Sequence, residues 1–213
     1  MQANAFRARR LELFLTLVDD VLKRAPVCRI LDVGGRKAYW QGLESVWAGR
    51  RLEITLVNLG GDATPSEGIY RFEEGDGRSL PQYADDSFDV IHSNSVIEHV
   101  GGWADKRRMA AEIRRLAPVY FVQTPNFWFP LEPHMRTPFM HWLPEPTRRW
   151  IIMRRACGFY PKATTVDQAQ DILSDASLVD TKGMAALFPD AEIVRERFGP
   201  LTKSLIAVRR GRP

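Results

Sequence analysis

Cysteine and long hydrophobic runs are scarce in this sequence. The 213 residues include only Cys28 and Cys157, and two thiols cannot form a disulfide framework or a four-thiolate zinc site. We therefore expect a reducing, cytoplasmic environment, with both cysteines buried as small core residues. No stretch approaches the roughly 18 consecutive apolar residues of a membrane helix, which excludes a membrane span. The N-terminal segment has no small-residue cleavage site, so we expect no signal peptide.

Internal repeats and low-complexity segments are also absent. Hydrophobic residues make up 45% of the chain and charged residues 26%, a composition that argues against disorder. The net charge of +4 is modest. Its basic residues concentrate at 106–115, 148–155 and 209–212, where solvated helix faces are the simpler explanation. Nucleic acid is thus a less favoured partner, although the charge does not exclude it.

The order of hydrophobic segments predicts an α/β fold. Helical spacing predicts helices at 5–24, 37–48, 103–116 and 180–188. Short runs rich in β-branched residues predict strands at 27–33, 52–58, 69–76, 87–93 and 118–124. Strands that alternate with helices indicate a mainly parallel sheet. Two last strands, at 191–198 and 203–210, are joined by Gly199-Pro200 without a helix and must run antiparallel. We predict one domain over residues 1–213, with an N-terminal helix within 1–25.

Ligands of an open parallel sheet bind beyond the carboxyl ends of its strands. The first strand ends in Asp32-Val33-Gly34-Gly35, where glycines let the backbone approach a ligand closely. Arg36 then stands where a dinucleotide fingerprint would continue with glycine, which disfavours an NAD-dependent dehydrogenase. The second strand ends at Asn58, where a nucleotide-binding fold places a ribose-binding acid. Asp62 is a possible substitute, and a simple turn at Asn58 is an equal alternative.

Four sequence motifs together resemble the class I S-adenosylmethionine-dependent methyltransferases. They are DVGG at 32–35, GDGRSLP at 75–81, SFDVIHSNSVIEHV at 87–100 and the closing hairpin. The resemblance extends over most of the chain, from about residue 27 to 209. It implies a Rossmann-like, seven-stranded, mostly parallel sheet with a C-terminal antiparallel hairpin and helices on both faces. It also implies S-adenosyl-L-methionine as the cofactor.

The resemblance further implies which residues bind the cofactor. The Asp32–Gly35 turn, including Gly34, would frame its methionine end, and Asn58 would replace the family's usual acid at the ribose. Asp76 would accept a hydrogen bond from the adenine amino group, with the Gly77 backbone beside the ring. Ser93, at the end of the fourth strand, would lie near the transferable methyl. The pair Glu98-His99 is also family-like, but packing at the start of a helix is its simpler role.

Residues 124–146 are rich in proline and aromatic residues and contain half of the four histidines. Because this segment follows the fifth strand, we expect it to form the acceptor pocket or its lid. His134 or His141 is then a candidate catalytic base for a hydroxyl acceptor. The alternative is a cover that packs on the core or on a partner in a homodimer. Glu132 and these two histidines have suitable chemistry for zinc or iron, but their spacing matches no metal signature, so we predict no metal site.

The sequence thus predicts an S-adenosylmethionine-dependent methyltransferase that modifies an oxygen or nitrogen of a small-molecule acceptor. Little chain remains for a separate recognition domain, which favours a compact acceptor. One alternative is an RNA or protein methyltransferase that docks through its arginine-bearing helices. The other is a non-catalytic methyltransferase-like binding module, suggested by Arg36 after the shortened glycine turn and by Asn58.

Overall fold

The computed structural model describes residues 5–60 and 66–212. Its strands are β1 (Cys28–Val33), β2 (Leu52–Asn58), β3 (Tyr70–Glu74), β4 (Val90–Asn94), β5 (Val119–Pro125), β6 (Leu131–Glu132), β7 (Thr137–Pro138), β8 (Glu192–Phe198) and β9 (Leu201–Arg209). Its α-helices are α1 (Ala5–Leu22), α2 (Lys37–Gln41), α3 (Glu44–Trp47), α4 (Trp103–Leu116), α5 (Glu145–Ile152), α6 (Val166–Ser174) and α7 (Thr181–Leu187). Within the described residues no helix combines the length and hydrophobicity needed to cross a bilayer.

Seven strands form one sheet in the order β3-β2-β1-β4-β5-β9-β8. Strands β1 to β5 pair in parallel, whereas β9 runs antiparallel to both of its neighbours, β5 and β8. The predicted fold class, a mostly parallel sheet closed by an antiparallel hairpin, is therefore confirmed. The order reverses at β1 and β4, and such a switch point opens a crevice for ligands at the carboxyl edge.

Side chains alternate along each strand, and this alternation divides the core between two faces of the sheet. On one face Cys28 and Ile30 belong to a cluster with apolar residues of α1 and with Trp40 of α2. On the other, Leu31 and Val33 pack with residues of α4 and α7. Both clusters are almost fully buried, so helices cover both faces, as predicted.

A cap, which we define as residues 126–178, lies between β5 and α7. The 124–146 segment was expected as a loop, but it contains the β6–β7 hairpin and a 3-10 turn at Met140–Trp142. Helices α5 and α6 then complete the cap. A separate small core holds it together, formed by Met135, Met140, Ile152, Cys157, Ala163, Ala169 and Leu173. The cap is thus stabilised by its own small hydrophobic core.

Several predicted boundaries differ from the structure, and three of these differences affect the helix after β1 or the carboxyl edge of the sheet. The helix expected over 37–48 is two short helices, because the chain turns at Gly42-Leu43 between α2 and α3. Strand β3 ends at Glu74, so Asp76 lies in the turn that follows it. Strand β4 runs to Asn94 rather than 93, which leaves Ser93 inside the strand. The last two shifts move side chains at the edge where ligands are expected.

Candidate functional site

A cavity of about 560 Å³ opens at the carboxyl ends of β1 to β4. Its volume lies within the range of small-molecule and cofactor sites. Four of the predicted cofactor-binding residues line it: Gly34, Asn58, Asp76 and Gly77. They converge because each follows or ends a strand of the parallel sheet. We call this space the main cavity.

Gly34 occupies the tightest point of the glycine turn. Its φ angle is +74°, a conformation that residues with a side chain adopt at a cost. A Cβ atom here would lie 2.4 Å from Cγ2 of Val96, which also lines the cavity. The turn therefore needs glycine for both its conformation and its close approach to Val96.

Asn58 is held by the same turn. Its Nδ2 donates a hydrogen bond to the Gly35 carbonyl oxygen over 2.8 Å, which leaves its side-chain oxygen as an acceptor for a ligand. Gly35 itself lines a neighbouring cavity of about 440 Å³ that shares Asn58 and Arg36 with the main cavity. Asp62, the suggested substitute, lies outside the described residues.

Asp76 has a partner that the sequence reasoning missed. Nη2 of Arg78 lies 2.6 Å from Oδ2 of Asp76, and Arg78 also lines the main cavity. The hydrogen bond from Arg78 holds the pKa of the Asp76 carboxyl below its usual value. Asp76 is therefore a carboxylate at neutral pH, able to accept hydrogen bonds only.

Asp32 and Ser93 are not among the residues that line the main cavity. Asp32 is buried on the α1 face of the sheet, where its Oδ1 lies 2.7 Å from Nδ1 of His92 and its Oδ2 accepts from Nε1 of Trp40. Ser93 donates to the Val33 carbonyl oxygen over 3.1 Å. Ser95, two residues later, lines the cavity instead. Cofactor contacts by Asp32 and Ser93 stay predictions.

The two candidate catalytic histidines line a second cavity, of about 260 Å³, inside the cap. We call it the cap cavity. Nε2 of His141 donates to the Phe127 carbonyl oxygen over 2.7 Å. Its Nδ1 and the Nε of Arg148 are buried and have no hydrogen-bond partner among the residues that the structure describes. The cap cavity is thus lined by two residues that each carry a buried, unpaired nitrogen.

His134 is held in a different way. Its Nδ1 lies 2.7 Å from Oε1 of Glu132, a carboxylate that also accepts from the backbone N–H of Met135. Burial opposes the charged form of His134, but the hydrogen bond that its ring donates to Glu132 and the neighbouring carboxylates outweigh this effect. The pKa of His134 therefore lies above its usual value, and its ring is fixed in orientation.

The walls of the main cavity and the cap cavity are in contact at His99 and His134, and Glu98 precedes His99 at this junction. His99 lines the main cavity, and its ring centroid lies 4.7 Å from that of His134. Glu98 is 1% exposed, and its Oε2 accepts from Oγ1 of Thr124 over 2.9 Å. Burial raises the pKa of this carboxyl. In the sequence, only the family-like pair Glu98-His99 signals this junction. The third residue, His134, comes from the cap, so no local pattern connects it with the pair.

A smaller cavity, of about 220 Å³, lies beside α1 and shares Ser95 with the main cavity. Three basic side chains line it: Arg7, Arg10 and Lys203. Arg10 already pairs with Glu196, its Nε lying 3.1 Å from Oε1. This α1 cavity is a second place where an acceptor could approach the main cavity.

Comparison with known proteins agrees with this geometry. Residues 52–118, or 67 of the 213, match the family model described as a methyltransferase domain. The match runs from β2 through Asn58 and Asp76 to the end of α4. The chain has the fold of the class I methyltransferases. The resemblance stated from the four motifs is thereby confirmed. A search of curated proteins finds no match.

Solved structures show the same fold at low identity. The CMeT domain of the citrinin polyketide synthase is 15% identical with a TM-score of 0.57, over 99% of this chain and 54% of that one. The CurJ carbon methyltransferase is 11% identical with a TM-score of 0.52, over 93% and 53%. Phosphoethanolamine N-methyltransferase 2 of Haemonchus contortus, solved with S-adenosyl-L-methionine, is 15% identical with a TM-score of 0.50, over 87% and 39%. The chain thus spans about half or less of each.

Proposed function

We propose that this class I methyltransferase fold binds S-adenosyl-L-methionine in the main cavity and transfers its methyl group to an oxygen or nitrogen of a small acceptor. One observation carries the proposal: Gly34, Asn58, Asp76 and Gly77 line one cavity of cofactor size. The family model covers the segment that contains Asn58 and Asp76. The similar structures include both carbon and nitrogen methyltransferases, so they do not identify the acceptor atom.

The residues of the main cavity fit the chemistry of this cofactor. The Asp76 carboxylate and the Gly77 backbone suit the adenine amino group and ring, and the Asn58 oxygen suits a ribose hydroxyl. We assign the methionine end to the glycine turn, where Arg36 offers its guanidinium to the carboxylate. The cofactor supplies an activated methyl on a sulfonium, so the protein needs mainly to align the acceptor and exclude water.

The cap cavity is the acceptor site that the contacts favour. Its volume of about 260 Å³ suits a compact molecule. The free Nε of Arg148 and Nδ1 of His141 would satisfy an anionic or hydrogen-bonding group of that molecule. His134 stands between this cavity and His99 on the wall of the main cavity. Of the two histidine candidates, we therefore propose His134 as the one that acts on the reacting atom.

The reaction on a hydroxyl acceptor would proceed in line. A bond forms between the acceptor oxygen and the methyl carbon while the carbon–sulfur bond breaks, and S-adenosylhomocysteine leaves with the electron pair on sulfur. The hydroxyl proton must leave the oxygen, and His134 is placed to receive it or to favour its release to water. An amine acceptor that is already neutral would need no base.

A macromolecular acceptor is the weaker alternative. Three of the four arginines of α4 are paired with carboxylates: Arg108 with Asp105, Arg114 with Asp190, and Arg115 with Glu112. Their charges are partly neutralised, which favours a small acceptor over RNA. A non-catalytic binding module is likewise less favoured, because Arg36 and Asn58 both line the main cavity and we assign each a contact with the cofactor.

Transfer of a labelled methyl group tests the proposed function. The protein is incubated with methyl-labelled S-adenosyl-L-methionine and a cell extract divided into small molecules, RNA and protein. We expect label in the small-molecule fraction, with loss of transfer in His134→Ala and retention of cofactor binding. Label confined to RNA or protein would contradict the small acceptor, and a folded protein that transfers no label to any fraction would contradict the enzyme.

A matched pair of variants locates the acceptor. Arg148→Gln, in the cap cavity, should raise KM for the acceptor by about 10-fold or more, because a charge-assisted hydrogen bond contributes about 1.5–3 kcal/mol. Arg7→Gln, in the α1 cavity, should leave KM within about twofold. The opposite pattern would place the acceptor in the α1 cavity and contradict the assignment to the cap.

A further inference from the structure

Three potential metal ligands from distant parts of the chain meet at the junction of the two cavities. Glu98 and His99 follow β4, and His134 comes from the cap. One ligand atom of each lies within 4.8 Å of the other two. The hydrogen bonds found for these side chains go to other residues, not to one another. Their ligand atoms therefore lie close together without hydrogen-bonding to one another.

The outer contacts orient both histidines as metal sites require. Nδ1 of His99 lies 2.9 Å from the backbone oxygen of Asp175, and Nδ1 of His134 lies 2.7 Å from Oε1 of Glu132. Both acceptors are oxygens, so Nδ1 of each ring carries a proton and Nε2 keeps its lone pair. Metal-binding histidines usually donate their other ring N–H to a carbonyl or carboxylate in this way.

Glu98 supplies the independent observation. Its side chain is 1% exposed, and Thr124 satisfies only Oε2. The buried Oε1 has no hydrogen-bond partner in the described part of the chain. A carboxylate oxygen left unpaired in the interior is costly, whereas coordination of a cation would satisfy it. Glu98 thus adds a buried, unpaired oxygen to the group of residues that includes the two oriented imidazoles.

We propose that Glu98, His99 and His134 bind a divalent transition-metal ion, with zinc as the best match. Two imidazoles and one carboxylate form a known catalytic zinc set that keeps a fourth position open. Nitrogen ligands disfavour magnesium and calcium. The ion would lie between the main cavity, which His99 lines, and the cap cavity, which His134 lines. The sequence reasoning predicted no metal, and the set it considered, with Glu132 and His141, shares only His134 with this one.

The open position gives the site a role in methyl transfer, and this part of the inference rests on the proposed function. An acceptor hydroxyl bound there would lose its proton to water more readily, because a metal lowers the pKa of a bound oxygen. The resulting oxygen nucleophile would face the main cavity. His134 would then act on the acceptor as a ligand rather than as a base.

Metal content and Co²⁺ spectroscopy test the site without any acceptor. Tag-free protein is stripped with a chelator, titrated with Zn²⁺ or Co²⁺, and analysed by elemental mass spectrometry. We expect one tightly held ion per chain and an intense visible Co²⁺ band typical of four-coordinate geometry. Glu98→Gln and His134→Ala should lose both signals. Glu132→Gln, which changes only the partner of the His134 ring, should weaken metal affinity by about 10- to 100-fold.

His141→Ala is the matched control, since it removes a histidine of the cap that lies outside the cluster. It should keep the ion and the band, and circular dichroism confirms that each variant is folded. Absence of a bound ion in folded wild-type protein would overturn the proposal, as would equal loss in His141→Ala. Titration of the same samples with the cofactor separates the two hypotheses. Cofactor binding without a bound metal ion would support the proposed function and contradict the metal site. A bound metal ion without cofactor binding would support the metal site and contradict the proposed function.

Discussion

Replacement of Gly34 by alanine should destabilise the protein more than replacement of any glycine in open space. The φ angle of +74° costs alanine about 1–2 kcal/mol. The new Cβ would lie 2.4 Å from Cγ2 and 2.8 Å from Cγ1 of Val96, and such overpacking typically costs about 1–3 kcal/mol. Together the two effects predict a loss of about 2–5 kcal/mol in the free energy of unfolding.

Gly49 provides the matched control. Its φ angle is +85°, but a Cβ there would meet nothing within 4 Å. Gly49→Ala should therefore cost only the conformational part, about 1–2 kcal/mol. Both changes reduce the entropy of the unfolded chain to a similar extent. The difference between the two variants thus isolates the contact with Val96, at about 1–3 kcal/mol.

Urea denaturation followed by circular dichroism measures both losses by linear extrapolation. A third variant, Val96→Ala, removes the two methyl groups that the new Cβ would meet. In that background the cost of Gly34→Ala should fall most of the way to that of Gly49→Ala. Equal costs for Gly34→Ala and Gly49→Ala, within about 0.5 kcal/mol, would refute the close approach of the glycine turn to Val96.

Three further predictions concern charge. Burial alone would raise the pKa of Asp190, but hydrogen bonds from Tyr120 and Arg209 lower it to about 2. The stabilising effect of this carboxylate is therefore present above about pH 4 and is lost as the pH falls towards 2. Asp190→Asn should remove roughly 1–2 kcal/mol of this acid-dependent change in the free energy of unfolding, measured by urea denaturation. Arg36→Gln should weaken S-adenosylmethionine binding by about 10-fold or more but leave methylthioadenosine, which lacks the carboxylate, unchanged by calorimetry. Methyl transfer should vary little with salt concentration, because a small acceptor releases few counterions on binding. A steep fall in transfer with rising salt, as nucleic-acid docking produces, would contradict a small acceptor.

The sequence pattern predicted the sheet well, because buried parallel strands have a strong local signal. Strand β2 begins and ends at the predicted residues 52 and 58. The strand ends also led to Gly34 and Asn58, and the family resemblance led to Asp76 and Gly77. All four line the main cavity because parallel strands share one carboxyl edge. These residues could be found without tertiary information.

Side-chain direction and contacts across the chain could not be predicted in this way. Asp32 precedes Val33 by one residue, so alternation turns its side chain away from the cavity that Val33 lines. Ser95 was missed because the end of β4 was placed one residue too early. The pair Arg78–Asp76 and the approach of His134 to His99 depend on how turns and cap fold, which the local pattern does not encode.

The central claim is that the main cavity binds S-adenosyl-L-methionine through Asp76. Calorimetric titration of the wild-type protein and Asp76→Ala tests it most directly. The account predicts micromolar binding to the wild type and binding at least about 10-fold weaker in the variant, which corresponds to about 1.4 kcal/mol. No detectable binding of the cofactor or of S-adenosylhomocysteine to the folded wild-type protein would contradict it.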